Sequence, residues 1–314
     1  MSNLSLAEKY RPSNLDELKN QDVIIKTLKN CIKYKNIPHL LFHGSAGIGK
    51  TSITLILARE LFGDETKNRI LELNASDERG IQIVREKIKN FAKFSINDKP
   101  DIPPFKIIIL DEADALTIES QLALRYIIEH YSLHTRFIII CNYINKIIEP
   151  IISRCVVYRF NLIPNKDIYN ILNDISINEE IIVSNKELNK IINISNGDLR
   201  YSINILEKIK IYNDLDDLNF ITFDELKEFI DLSLENKKLD IYNFINNIFI
   251  NGNNNINLLK DISHNILIND KLNDIQKANI LYNVSTIDNN LNNGCDNIIQ
   301  LIYLSSIIYK YYNS

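Results

Sequence analysis

The chain has 314 residues, a net charge of −4 at pH 7 and 45% apolar residues. This apolar content supplies a buried core and argues against a disordered chain, while the length suits two or three domains. The acidic balance argues against a protein that coats nucleic acid with a uniformly basic surface, so contact with DNA needs a local basic patch. No uncharged apolar run approaches the ~18 residues of a membrane span, and no membrane partner is expected.

The four cysteines are far apart along the chain, and their spacing matches no zinc-binding pattern. We therefore expect reduced thiols, as in a cytosolic or nuclear protein. The cysteines are Cys31, Cys141, Cys155 and Cys295.

Five short runs rich in Ile, Val and Leu lie in the first half of the chain. Because they lack polar alternation, they predict strands of a parallel sheet with both faces covered by helices. Their spacing leaves room for crossover helices, which predicts an α/β domain over residues 1–162. The predicted strands are 40–43, 70–74, 106–110, 136–141 and 155–160.

After Pro164 the sequence predicts helices only. We expect a small helical domain over 163–222 and an all-helical domain over 223–314. Asn-rich patches are a possible sign of disorder, but Ile and Leu recur among them, which favours packed helices. The predicted helices are 166–176, 185–194, 198–210, 224–234, 239–250, 256–268, 273–289 and 296–312.

The octapeptide GSAGIGKT at 44–51 fits the pattern G-x-x-x-x-G-K-[ST] between a predicted strand and a predicted helix at 52–61. In such a loop, backbone N–H groups and the helix N-terminus bind phosphate oxygens. Lys50 is expected to reach the β- and γ-phosphates of ATP, and the Thr51 hydroxyl to bind Mg²⁺. The alternative, a chance Gly-rich turn, does not account for the strand–loop–helix context. The expected ATP contacts are Gly44, Ser45, Ala46, Gly47, Ile48, Gly49, Lys50, Thr51 and Ser52.

Two carboxylates, Asp111 and Glu112, follow the predicted strand at 106–110. Downstream of a phosphate loop, Asp111 is expected to hold the Mg²⁺ shell and Glu112 to polarise the attacking water. The alternative is an ordinary acidic turn. The tetrad Asp-Glu-Ala-Asp at 111–114 also names a helicase family, but those helicases use two α/β lobes, and no second sheet is predicted here.

Three further polar residues follow the phosphate loop and the acidic pair along the chain. Asn142 ends a predicted strand, where its side chain can contact the γ-phosphate or the water. Arg154 precedes the last predicted strand, and arginine stabilises charge on a transferring phosphoryl group. Arg200 lies in the first turn of a predicted helix, where the helix dipole disfavours a cation. Each residue has a structural alternative, such as a surface salt bridge, and only their joint order supports phosphoryl transfer.

A basic stripe surrounds a predicted helix after Gly80. Arg85, Lys89 and Lys93 are spaced to lie on one helix face, which suits contact with the phosphates of DNA without base reading. The alternative is a solvated charged face. The candidate DNA contacts are Arg79, Arg85 and Lys89.

These motifs together resemble the AAA+ ATPases and, within them, the small subunits of replication factor C, the eukaryotic and archaeal sliding-clamp loader. The most specific matches are AEKYRP at 7–12, LNASDERGI at 73–81 and SRC at 153–155. The resemblance is close over residues 6–210. Beyond them it consists of length, helical character and a short match at 298–301.

The resemblance implies roles for individual residues. Tyr10 and Arg11 are implied to border the adenine pocket, Asn142 to be the first sensor and Arg200 the second. Arg154 is implied to be an arginine finger that acts on ATP held by the neighbouring subunit. Residues 163–222 are implied to form a lid, and 223–314 a collar that joins the subunits.

The resemblance also implies a hetero-pentamer with other clamp-loader subunits, which uses ATP and Mg²⁺ to open a sliding clamp and place it on primer–template DNA. A nuclear location is implied or, if the chain is virus-encoded, a cytoplasmic viral replication site. The sequence departs from the family where Tyr126 and Tyr201 replace a second arginine, which puts DNA or inter-subunit contacts in doubt.

Two alternatives to a hydrolysing clamp-loader subunit stay open. One is a mainly structural ATP-binding subunit, which the intact Lys50, Asp111 and Glu112 argue against. The other is a different AAA+ DNA-processing ATPase, which the runs at 73–81 and 153–155 argue against.

Overall fold

The protein is described from a computed structural model. The structure describes residues 4–76, 81–93, 102–212, 223–250 and 258–313. The chain divides into two compact units, Met1–Asn213 and Asp214–Ser314.

The first unit is built on a five-stranded parallel sheet. Its strands are β1 (Leu40–His43), β2 (Ile70–Asn74), β3 (Lys106–Asp111), β4 (Thr135–Cys141) and β5 (Val156–Arg159). Their order is β2-β3-β4-β1-β5, and every neighbouring pair is parallel. All five predicted strands are therefore confirmed, with ends shifted by no more than one residue.

Helices surround the sheet and continue beyond it. Within the described part of the first unit they are α1 (Leu6–Lys9), α2 (Asp22–Lys33), α3 (Lys50–Phe62), α4 (Thr66–Arg69), α5 (Ile81–Lys93), α6 (Ile118–Tyr131), α7 (Glu149–Ile152), α8 (Asn165–Asn178), α9 (Asn185–Ser195) and α10 (Leu199–Tyr212). Short 3-10 turns lie at Leu15–Glu17, Gly63–Glu65, Ala113–Ala115 and Ile144–Lys146.

The sheet has a hydrophobic core on each face. Ile107 and Ile109 of β3 face one core, and Ile108 and Leu110 face the other. Successive side chains of a strand point to opposite faces, so a strand buried on both sides needs an unbroken apolar sequence. This explains why the predicted strands lack polar alternation.

Helices α8, α9 and α10 pack against one another, and we call them the lid helices. The start of α9 follows from its sequence, because Ser184 and Glu187 form a capping box with N···O distances of 3.3 Å and 2.6 Å. The helix ends at Asn196, which adopts a left-handed conformation with φ of 49°.

The described residues of the second unit form helices joined by short turns. Its helices are α11 (Phe223–Leu234), α12 (Lys238–Ile250), α13 (Leu258–Ile268), α14 (Asp274–Asn292) and α15 (Asn297–Tyr312). They enclose a core of their own, with Ile230, Ile245 and Leu304 fully buried. The predicted helix 256–268 is described from Leu258 onward. Nowhere in the described residues does a helix combine the length and apolarity that crossing a bilayer requires.

Candidate nucleotide-binding site

The phosphate loop connects the carboxyl end of β1 to α3. Lys50, the first residue of α3, is only 8% exposed. Its ammonium donates hydrogen bonds to the carbonyl oxygens of Gly44 (2.8 Å) and Ser45 (2.6 Å) and to Oδ1 of Asn142 (2.9 Å). Burial lowers the pKa of Lys50, and the carboxylate of Asp111 opposes that shift. The cation is thus held inside the loop and in contact with Asn142, the residue that follows β4.

The two candidate Mg²⁺ ligands contact each other. The Thr51 hydroxyl donates a hydrogen bond of 2.7 Å to Oδ2 of Asp111. A hydroxyl and one carboxylate are the oxygen donors that suit Mg²⁺, which takes its other ligands from phosphates and water. Among the described residues there is no group of three or more His, Cys, Asp or Glu side chains that would form an all-protein metal cage. These donors therefore fit a metal that arrives with a nucleotide.

Glu112 follows Asp111 and is exposed. Its backbone is left-handed, with φ of 52° and ψ of 38°, and its N–H donates to Oδ1 of Asp111 at 2.8 Å. A left-handed conformation costs a residue other than glycine on the order of 1 kcal/mol, and such residues concentrate at functional sites. The strained residue is the one that sequence analysis expects to polarise the attacking water.

Asp114 was not selected from the sequence as a site residue, although it is the last residue of the acidic tetrad. Its Oδ2 accepts hydrogen bonds from the backbone N–H groups of Asn142 (3.3 Å) and Tyr143 (3.2 Å). These bonds hold the turn after β4, which carries the Asn142 side chain to Lys50. Asp114 thereby couples the end of β3 to the end of β4.

A cleft of about 340 Å³ lies beside the phosphate loop. The loop and α3 form one wall, α8 and α10 of the lid form another, and the N-terminal segment (residues 5–12) and residues 17–19 form the rest. Residues in its lining include Tyr10, Arg11, Gly47, Ser52, Asn178 and Arg200. Of the lid residues here, only Arg200 was expected from the sequence.

The N-terminal segment is attached to α3 and to the lid. Arg11 donates from Nε to the Ser52 hydroxyl at 3.2 Å and pairs with Glu8 at 3.1 Å. The Tyr10 hydroxyl donates to Oε1 of Glu179 in the lid at 2.8 Å. The structure therefore brings the predicted contacts Tyr10, Arg11 and Ser52 to one cleft.

The lid also touches the phosphate loop directly. Gly47 has a left-handed φ of 68°, and a Cβ atom at this position would lie 1.7 Å from Oδ1 of Asp198. The same oxygen accepts a hydrogen bond of 2.9 Å from the N–H of Tyr201 in the first turn of α10. The carboxylate that caps α10 thus rests where any side chain on Gly47 would project.

Arg154 lies away from this cleft. Val156 pairs with Leu40, the first residue of β1, whereas the phosphate loop follows His43 at the other end of that strand. In a parallel sheet this places Arg154 before the amino ends of the strands, and the three residue steps from Leu40 to His43 put the phosphate loop about 10 Å further along, at the carboxyl ends. Arg154 instead donates to the Pro150 carbonyl oxygen at 2.7 Å and forms an ion pair with Glu129.

The candidate DNA contacts lie in and before α5. Lys89 is exposed, and its neighbour Ile88 is fully buried, as the predicted helix faces require. Arg79 and the side chain of Arg85 lie outside the described residues.

Comparison with known families assigns both parts of the first unit. Residues 40–161 match the family described as "ATPase family associated with various cellular activities (AAA)". Residues 170–211 match the family described as "RCF1/5-like, AAA+ ATPase lid domain". The parallel sheet, the lid and the helical C-terminal region confirm the predicted fold class.

Solved structures show the same fold at low sequence identity. The RuvB Holliday junction branch migration motor of Thermotoga maritima matches with a TM-score of 0.51 and 17% identity, over 64% of this chain and 65% of that chain. At this identity the likeness concerns the fold alone.

Relatives of known name are similar over nearly the whole chain. Replication factor C subunit 2 of Schizosaccharomyces pombe is 37% identical over 96% of this chain and 92% of that protein. Replication factor C subunit 2 of Saccharomyces cerevisiae is 41% identical over 95% and 90%. The replication factor C small subunit of Archaeoglobus fulgidus is 39% identical over 96% and 98%. With its AAA ATPase domain and lid, the chain belongs to the replication factor C small-subunit family of AAA+ ATPases.

Proposed function

We propose that this chain is an ATP-hydrolysing subunit of a clamp loader, which opens a sliding clamp and places it on primer–template DNA. Two side-chain contacts at the carboxyl ends of the strands, Lys50–Asn142 and Thr51–Asp111, support the proposal together with the position of Arg154 at the opposite, amino ends. Such a chain holds ATP and presents an arginine to a different ATP. This division of labour suits an assembly of related subunits.

In the proposed site, the backbone of the phosphate loop and the Lys50 ammonium bind the phosphates of ATP. Thr51 and Asp111 hold the Mg²⁺, which neutralises charge on the phosphate oxygens when it is bound. Glu112 orients and polarises the attacking water, and Asn142, already bonded to Lys50, senses the γ-phosphate. Lys50, Asp111 and Glu112 argue together against a purely structural subunit.

The base of ATP is proposed to lie in the cleft bordered by Tyr10 and Arg11. Arg200 reaches the same cleft from the lid and is proposed to contact the phosphates as a second sensor. A bound nucleotide would then link the lid helices to the phosphate loop, in addition to the contact between Asp198 and Gly47.

Arg154 is proposed to act in trans. Its place at the amino edge of the sheet supports this role, because its own phosphate loop lies at the carboxyl edge. A guanidinium supplied by a neighbour stabilises charge on the transferring phosphoryl group. Hydrolysis then depends on how subunits are seated against each other.

The proposed partners are the other subunits of a hetero-pentamer, the sliding clamp and primer–template DNA. The exposed Lys89 on α5 supports contact with DNA phosphates, together with Arg79 and Arg85 from the same stretch of sequence. We further propose the domain limits 1–162, 163–222 and 223–314, with the last serving as the collar, and a nuclear location or a cytoplasmic viral replication site.

The native mass of the complex that copurifies with this chain from its own cells tests the proposal. A pentamer of related subunits that captures a ring-shaped clamp is expected. A homohexamer of this chain alone contradicts it, because the proposed clamp loader is a hetero-pentamer of related subunits.

A further inference from the structure

Glu179 is a lid carboxylate that the nucleotide site described above does not use. It directly follows α8, and only 7% of its side-chain surface is exposed. Burial of an ionised carboxylate is unfavourable unless its oxygens are paired and hydrogen-bonded. Its partners therefore show what the side chain is for.

Three donors from two separate segments converge on this carboxylate. Oε1 accepts from Nζ of Lys9 (2.5 Å) and from the hydroxyl of Tyr10 (2.8 Å), and Oε2 accepts from Nζ of Lys210 (2.7 Å). The bonds from Lys210, Lys9 and Tyr10 lower the pKa of Glu179 to about 2. Burial and the bond to Glu179 raise the pKa of Tyr10 to about 12. The contact between Glu179 and Tyr10 thus joins an ionised carboxylate to a neutral phenol.

A second contact attaches the same segment to the lid. The backbone N–H of Leu6 donates to Oε1 of Glu207 on α10 at 3.1 Å, and the Leu6 side chain is buried. Residues 6–10 are therefore held by the lid helices, whereas Arg11, the next residue, is bonded to Ser52 of α3.

We propose that Glu179 is a positioning residue for nucleotide binding: it holds the Tyr10 ring in the wall of the cleft and makes the N-terminal segment part of the lid. The inference rests on the proposed ATP site, since it assumes that the cleft takes the base. Glu179 itself does not line the cleft, so its effect reaches the ligand through Tyr10 and the segment that carries it. The phosphate end of the site has independent contacts through Lys50.

This separation of the two ends gives a direct test with the full chain. Binding of ATP and of inorganic tripolyphosphate is measured by titration for the wild type, Glu179→Gln and Tyr10→Phe. The matched control is Glu180→Gln, which neutralises the neighbouring exposed carboxylate. We expect Glu179→Gln to weaken ATP binding roughly tenfold, as for loss of charge-assisted bonds, with tripolyphosphate changed less than about twofold. Tyr10→Phe is expected to reproduce part of the loss.

Hydrogen exchange supplies a second readout that reports directly on attachment of the segment. In Glu179→Gln, the amides of α1 and the amide of Tyr10, which is bonded to the Leu6 carbonyl at 2.9 Å, should lose protection while amides of α3 keep theirs. Retained protection together with wild-type ATP affinity would overturn the inference. Equal weakening of ATP and tripolyphosphate would also overturn it, because Glu179 would then support the fold generally. If the wild type binds tripolyphosphate as tightly as ATP, the proposed base site itself is wrong.

Discussion

The contact between Gly47 and Asp198 predicts that Gly47→Ala damages the site through the lid as well as through the loop. The alanine Cβ would lie 1.7 Å from one carboxylate oxygen and 2.4 Å from Cγ of Asp198. No rotation of a methyl group relieves such an overlap, so Asp198 must move. Moving it breaks the hydrogen bond from the N–H of Tyr201 that caps α10.

The cost has two parts. Placing a residue with a Cβ in the left-handed conformation lowers the free energy of unfolding by about 1 kcal/mol, and loss of a helix N-cap hydrogen bond lowers it by about 1 kcal/mol more. Gly63 is the comparison without a clash, because its φ of 54° with ψ of −125° is also unfavourable for a residue with a Cβ, yet an added Cβ would meet nothing within 4 Å. Gly63→Ala should therefore show backbone strain alone, whereas Gly47→Ala should cost about 2 kcal/mol, of which about 1 kcal/mol is the lost cap bond.

Hydrogen exchange of α10 combined with ATP titration measures both effects in the full chain. Gly47→Ala should lower the opening free energy of α10 and weaken ATP binding, whereas Gly63→Ala should leave both close to wild type. In an Asp198→Ala background, the additional effect of Gly47→Ala on α10 should disappear, since the clashing group is gone. Equal behaviour of the two glycine variants at α10 would refute the lid contact.

Three further predictions follow from other contacts of the site. Asp114→Ala should lower ATP turnover about tenfold with unchanged nucleotide affinity, because it frees the turn that carries Asn142; a loss of affinity instead would contradict a purely positioning role. Glu129→Gln should lower turnover in the complex about two- to fivefold, the scale of an exposed ion pair, by releasing Arg154; unchanged steady-state turnover would show that the pair is irrelevant. The difference in unfolding free energy between wild type and Glu179→Gln should not change with pH in neutral solution. It should fall as pH drops from 4.5 towards 2, because the pKa of Glu179 is lowered in the folded protein, and as pH rises from 10.0 towards 12, because the pKa of Tyr10 is raised. Urea titrations across pH test this, and a difference independent of pH would contradict it.

The parts of the molecule that the sequence predicts well are those encoded locally. The phosphate loop is one contiguous motif, and unbroken apolar runs predict the buried strands. The Thr51–Asp111 contact could also be expected, because β1 and β3 end at the same edge of the sheet. Parallel strands bring such end residues together whatever their separation in sequence.

The residues that sequence analysis missed act through tertiary contacts. Glu179 is 169 positions from Tyr10 and is followed by another glutamate, so no local pattern distinguishes it. Asp198 lies two residues before the predicted Arg200, but its contact with Gly47 depends on how the lid packs against the loop. Asp114 had a usable signal as the tetrad's last residue, yet its partners at the end of β4 become apparent only in the folded sheet.

The central claim is that this chain holds ATP in its own cleft and supplies Arg154 to a neighbour's. Substituting Arg154→Ala in the assembled complex, with ATP turnover and this chain's nucleotide affinity measured together, tests it most directly. The account predicts that turnover at the neighbouring site is lost while this chain's own affinity for ATP stays within about twofold of wild type. Loss of this chain's own ATP binding would contradict the account, because Arg154 would then act in its own site or support its fold.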